Sequence, residues 1–196
     1  MKFQQTELNG AYVVDIERHS DERGFFARSY CADEFANHGL VWHWPQCNIS
    51  FNAQKGTLRG LHYNAAPHAE AKLVRCTMGS IYDVIVDLRP HSETWMGWIG
   101  VELDAASRRA LYVPAGFAHG FITLSDDTEV FYQMSARYVP EAARGLYFCD
   151  PALGVRWPIP VQVISERDAS YPNLDLSKPF GEVCEPRCPQ STPERK

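Results

Sequence analysis

Four titratable side chains stand inside segments that otherwise read as buried β-strand: His62 in "GTLRGLHYN", Lys72 in "AKLVRCT", His119 in "GFAHGFITL" and Tyr132 in "TEVFYQM". Side chains two apart share a face of a strand, so His62 groups with Leu58 and Gly60, Lys72 with Val74 and Cys76, His119 with Phe117 and Phe121, and Tyr132 with Val130 and Met134. Burying an ionisable group without a partner costs several kcal/mol, so either the chain supplies partners or these faces open on a pocket. Taken singly, a strand histidine reads as a hydrogen-bonded core or rim residue, Tyr132 as a core aromatic with its hydroxyl satisfied at the edge, and Lys72 as a stem that carries its charge to water. Taken together on neighbouring candidate strands, imidazole, phenol and ammonium mark a pocket equipped for proton transfer.

Arg59 and His62, three apart, fall on opposite faces of a regular strand. Gly60 between them permits a bulge or bend that would bring both to one cavity.

The elements that must hold these groups are strands. "AKLVRCT" meets "SIYDVIVDL" across Met78 and Gly79, "WIGVEL" meets "RALYV" across "DAASR", and "GFAHGFITL" meets "TEVFYQM" across "SDD", a series read as hairpins. Such regular short runs of Val, Ile, Tyr and Phe indicate an all-β sandwich or barrel. Helical signal is confined to "CADEFANHG", with Gly39 as its stop, and to a turn in "PEAARG". With 196 residues, the expectation is a single domain over 1–180 and a loose Pro-rich tail over 181–196.

Apolar content of 45% and charged content of 22% are ordinary for a soluble globular chain, and a net charge of −5 argues against a nucleic-acid partner. No apolar run approaches the ~20 residues of a membrane helix, and "MKFQQTELNG" carries no signal-peptide core, so a cytoplasmic protein with no membrane association is expected. Cys31, Cys47, Cys76 and Cys149 are dispersed among apolar neighbours and read as small hydrophobes in a reducing compartment. Cys184 and Cys188 have the spacing of half a metal site, but with no second pair nearby they read as exposed thiols.

In "VPAGFAHGF", Pro114, Gly116 and His119 have the spacing of the second motif of cupin barrels, where a Pro-x-Gly turn feeds a strand with an inward histidine. Metal-binding cupins add a His-x-His pair and a Glu from an earlier motif. Here that region reads "GLHYNAAPHAEAKLV", with His62 and His68 too far apart, and a metal-free cupin is expected.

Taken in order from Asp21 to Pro172, "DERGFFARS", "LRGLHY", "AKLVRCTMGSIYDVIVDLR", "VPAGFAHGF", "PEAARG" and "ISERDASYP" resemble the dTDP-4-dehydrorhamnose 3,5-epimerase family of deoxysugar biosynthesis. The resemblance implies a jelly-roll cupin barrel with a few short helices, dimeric, free of metal and cofactor, holding a nucleotide-diphosphate sugar inside the barrel. It implies His62 as the base, Asp168 as the carboxylate that orients and charges it, Lys72 as the cation at the 4-oxygen, and Tyr132 as the acid on the opposite face. It also implies substrate contacts from Arg23, Phe26, Arg59, Gln46, Asn48 and His119, with Arg23 and Arg59 gripping the diphosphate.

The chain departs from the family at several places. Arg28 stands where thymidine-specific members commonly place Glu; a guanidinium only donates, which suits cytosine or guanine acceptors and raises CDP or GDP beside dTDP. The alternative is that Arg28 pairs with Glu34 and the base is read elsewhere. Cys47 replaces a frequent acidic residue, and Phe148 and Cys149 replace the usual Trp and Asp. Two other activities fit the scaffold, a 3,4-ketoisomerase and a non-catalytic nucleotide-sugar-binding cupin. The latter is preferred if His62 and Asp168 stand farther apart than a hydrogen bond, about 3.5 Å.

Overall fold

The computed structural model describes residues 1–174. The tail 181–196, with Cys184 and Cys188, lies outside them. In chain order the strands are β1 (Lys2–Gln5), β2 (Tyr12–Asp15), β3 (His19–Asp21), β4 (Gly24–Phe26), β5 (Gln46–Asn52), β6 (Thr57–Asn64), β7 (Lys72–Met78), β8 (Ser80–Asp87), β9 (Trp98–Asp104), β10 (Ala110–Val113), β11 (Phe117–Thr123), β12 (Thr128–Met134), β13 (Ala143–Gly145) and β14 (Val163–Ile164). Helix α1 (Ala32–Asn37) ends at Gly39, whose φ of +69° suits a residue without a Cβ. "PEAARG" splits into a single 3₁₀ turn, Pro140–Ala142, and β13.

Two sheets face each other in a jelly roll. One runs β1-β2-β10-β7-β12-β5, the other β13-β6-β11-β8-β9 with β14 beside β6, and β3-β4 forms a separate hairpin. The three links read from the sequence as hairpins join no paired strands. β7 and β8, β9 and β10, and β11 and β12 belong to opposite sheets, so each short turn hands the chain across the barrel. A turn such as Met78-Gly79, with Gly79 at φ +74°, is compatible with either geometry. What decides is that each of these six strands has an apolar inner face to bury against the other sheet.

The core between the sheets contains Val74, Cys76, Ile81, Ile85, Leu111, Phe117, Phe121 and Val130. The first sheet's outer face is covered by α1 through Phe35, packed with Leu73 and Tyr112. The second sheet's outer face, including Leu61 and Val84, is covered by the chain after β13 through Leu146, Leu153 and Tyr171. The apolar core fills one end of the barrel. The inward polar residues lie toward the other.

Between β6 and β11, His62 pairs with His119 while Arg59 pairs with Phe121, three residues on one strand against two on the other. The extra residue sits at Gly60, where φ is +116° and the following peptide is cis. A Cβ on Gly60 would lie 2.6 Å from the Gly120 Cα, so only glycine fits there. The bulge puts Arg59 and His62 on one face, opposite two inward residues of β11, as the glycine in the sequence suggested.

Candidate active site

Two contiguous cavities of about 350 and 320 Å³ open at the polar end of the barrel and share His62, Lys72 and Tyr132. The first is further lined by Gln46, Asn48, Glu70, Tyr138, Arg144 and Arg167, the second by Ser50, Arg59, His119 and Phe121. β5, β6, β7, β11 and β12 therefore each contribute side chains. No two of these strands that are consecutive in the chain pair with one another, and the bulge at Gly60 allows β6 to supply both Arg59 and His62.

His62 is half-buried on β6, and its Nε2 lies 2.7 Å from Asp168 Oδ1. An ionised carboxylate only accepts, so Nε2 carries the proton and Nδ1 is left as the basic nitrogen. Asp168 belongs to α2 (Glu166–Ala169), a four-residue turn whose N-cap Ser165 accepts from the Asp168 N–H at 3.1 Å. The carboxylate is 4% exposed, and its Oδ2 accepts from the Gly60 N–H at 3.1 Å. Burial alone would raise the Asp168 carboxyl, but the bonds from His62 and Gly60 outweigh it and hold the group below its ordinary range. The residue that makes the bulge thus also helps seat the carboxylate.

Burial raises the Tyr132 phenol above its ordinary value, against an opposing influence from Arg59, so the hydroxyl keeps its proton at neutral pH. Lys72 Nζ sits 3.4 Å from Glu70 Oε1. Desolvation raises the Glu70 carboxyl despite Lys72 beside it. On β11, His119 Nε2 lies 2.7 Å from Asp83 Oδ1, a second imidazole–carboxylate pair, deeper and almost fully buried. Arg59 donates through Nε to Asn52 Oδ1 at 2.7 Å, which fixes its guanidinium at the second cavity.

Of the residues singled out from the sequence, His62, Lys72, Tyr132, Gln46, Asn48, Arg59 and His119 line these cavities, and Asp168 stands behind His62. Arg23, Phe26 and Arg28 do not line them. Arg23 lies in the turn of the β3-β4 hairpin and pairs with Asp21. Phe26 is exposed, and with Arg28 it lines a separate cleft of about 200 Å³ beside Met1 and Glu17. The Arg28 guanidinium pairs with Glu34 of α1 at 3.1 Å, the alternative that the sequence allowed. Glu70, Asp83, Tyr138, Arg144 and Arg167 were not singled out; Asp83, inside the apolar run "YDVIVDL", carried the same intruding-charge signal as His62. Among the described residues, no three His, Cys, Asp or Glu side chains are grouped to hold a metal ion, and His68 is exposed in the loop before β7.

A base with a seated carboxylate, a protonated phenol and an ammonium around one hollow can remove a proton beside a carbonyl, stabilise the enolate and return a proton from another direction. Comparison with known proteins agrees with that chemistry. Residues 5–175 match the family model described as dTDP-4-dehydrorhamnose 3,5-epimerase. The chain is 42% identical over 179 residues to the dTDP-4-dehydrorhamnose 3,5-epimerase of Sinorhizobium fredii, covering 89% of this chain and 90% of that one. The crystal structure of the Elizabethkingia anophelis enzyme of that name superposes with a TM-score of 0.86 at 40% identity, covering 88% of this chain and 96% of that one. The Bacillus anthracis enzyme, crystallised with TDP and PPi bound, gives 0.85 at 38% identity, covering 88% and 99%. The chain belongs to the dTDP-4-dehydrorhamnose 3,5-epimerase family.

Proposed function

We propose that the protein epimerises C3 and C5 of a thymidine-diphosphate-linked 4-keto-6-deoxyhexose in deoxysugar biosynthesis. The C4 carbonyl acidifies both flanking C–H bonds. His62 Nδ1 takes the proton, and the imidazolium so formed is stabilised by Asp168 through Nε2. Negative charge collects on O4, where the Lys72 ammonium meets it. Tyr132 then delivers a proton to the opposite face of the carbon, inverting it. Arg59 holds the diphosphate, Gln46 and Asn48 contact the nucleotide, and His119, set by Asp83, donates to the sugar. The reaction moves protons alone and requires no electron carrier or metal.

The observation that carries this reading is the 2.7 Å contact between His62 and Asp168 on a cavity shared with Lys72 and Tyr132. It lies well inside the limit beyond which a non-catalytic sugar-nucleotide binder would be preferred. The test is incubation of the dTDP-linked 4-keto sugar in D2O with deuterium followed at C3 and C5. Label at both carbons is expected; binding without label at either would refute the epimerase reading.

Thymidine is the base in this reading because the CDP and GDP alternatives rested on Arg28, whose guanidinium is engaged by Glu34 outside the two cavities. Calorimetric titration with dTDP, CDP and GDP checks it, and tighter CDP or GDP binding would overturn it. The protein works as a homodimer, a reading supported by edge strand β5 with Ile49 and Phe51 exposed and by Phe25 and Phe26 exposed on the hairpin. Arg23 and Phe26, held away from their own cavity, contact substrate in this reading from the second copy. Light scattering that gives a monomer mass would refute it. The four free cysteines of the described residues fit a cytoplasmic enzyme.

A further inference from the structure

Glu70 lies in the loop before β7, two residues ahead of Lys72. The segment is fixed to the end of β12: Ala71 N–H donates to Ser135 Oγ at 2.8 Å and Ser135 N–H donates to Ala71 O at 3.0 Å. That clamp leaves the Glu70 side chain lining the first cavity while the residue is only 7% exposed. Its Oε1 is the atom 3.4 Å from Lys72 Nζ. Its Oε2 is buried with no hydrogen-bond partner among the described residues.

A buried carboxylate oxygen without a donor is unfavourable, and one that faces a ligand cavity has an obvious place to find that donor. The bound sugar determines which. O4 is a carbonyl and can only accept, which suits Lys72 and excludes Glu70. Of the two carbons flanking C4, C5 bears the methyl group and the ring oxygen, and only C3 bears a hydroxyl. A carboxylate adjoining the cation at O4 therefore meets the C3 hydroxyl.

We propose that Glu70 is a substrate-positioning residue, its Oε1 seating the Lys72 ammonium and its Oε2 accepting a hydrogen bond from the C3 hydroxyl of the bound 4-keto-6-deoxyhexose. This rests on the substrate class proposed above. It makes the site favour a sugar with a free C3 hydroxyl and gives Lys72 a fixed approach to O4.

The test compares apparent calorimetric affinities of dTDP, dTDP-4-keto-6-deoxyglucose and dTDP-4-keto-3,6-dideoxyglucose for the full-length wild type, Glu70→Gln and Glu70→Ala. Wild type should prefer the hydroxylated sugar by about tenfold, the worth of one hydrogen bond to a charged acceptor. Glu70→Gln, which keeps an acceptor of the same reach but no charge, should retain roughly threefold, and Glu70→Ala should bind both sugars equally. Affinity for dTDP alone should stay within about twofold throughout, because a hydrogen bond to the sugar leaves the nucleotide contacts intact. An undiminished preference in Glu70→Ala, an equal loss of dTDP affinity, or no preference in wild type would each overturn the proposal; the last holds even if Glu70→Ala does not fold.

Deuterium exchange by wild type reads the underlying function separately. No exchange with the preference intact refutes epimerisation and supports Glu70 as a hydroxyl contact; exchange without the preference refutes Glu70 alone. A wild type that binds none of the three ligands refutes both.

Discussion

Replacing Asp168 by asparagine changes one atom's chemistry and leaves the volume intact. In the native protein Oδ1 accepts from His62 Nε2 at 2.7 Å and Oδ2 accepts from Gly60 N–H at 3.1 Å, both at a site only 4% exposed. Asparagine has one acceptor oxygen. The Gly60 N–H is fixed in the backbone and cannot reverse, so the amide oxygen turns to it and the NH2 group faces His62. Imidazole then accepts at Nε2 and must carry its proton on Nδ1, the nitrogen that should receive the substrate proton. The imidazolium formed on proton abstraction also loses its counter-charge, a charge-assisted bond worth about 1.5–3 kcal/mol. Through the transition state that is a fall of about 10- to 150-fold in the exchange rate, before the tautomer penalty is added. Asp168 does not line the cavities, so affinity for dTDP should stay within about twofold. The assay is deuterium uptake at C3 and C5 by NMR under saturating substrate, with calorimetry for dTDP. Exchange within about threefold of wild type would refute the role given to the carboxylate.

His62→Ala should abolish exchange at both carbons while nucleotide affinity persists; retained exchange in an NMR assay would remove His62 as the base. Tyr132→Phe should allow proton loss on the His62 side but slow inversion, so deuterium washes into the unreacted epimer faster than product forms, and an unchanged ratio of washout to product would contradict its role as acid. Asp87 is fully buried; desolvation would raise it, but Arg89, Ser92 and Thr94 bring its carboxyl down from 3.8 to about 2. Its contribution of about 2 kcal/mol is therefore complete above the unfolded pKa and vanishes as pH falls through the folded one. Urea unfolding should show Asp87→Asn less stable than wild type by about that amount at pH 7, with the gap closing below about pH 4; a gap that stays constant down to pH 3 would exclude the linkage.

The sequence revealed strands more readily than their partners. Alternation of apolar residues located the core strands β7 to β12 nearly to the residue, because each has one face against the opposite sheet. Pairing was misread, since a short turn looks the same whether it closes a hairpin or crosses the barrel, and only closure of both sheets decides. The intruding His62, Lys72, His119 and Tyr132 were visible as a group for the same reason of alternation. Asp168 had no such signal, because it sits on a four-residue turn far along the chain, although Ser165 three residues ahead is a helix-start cue that could have revealed α2. Glu70 was missed because it lies in a loop, where a charged residue is unremarkable until the fold shows it turned inward.

The order of the elements along the chain also sets when the proposed base meets its carboxylate. His62 and its carboxylate are 106 positions apart, and the latter rides on the last helix described. During synthesis every barrel strand is therefore made before the imidazole has its partner, and the stretch after β13 brings both Asp168 to His62 and Arg167 to the first cavity. Orientation of the His62 imidazole thus waits for α2, which is made after every barrel strand.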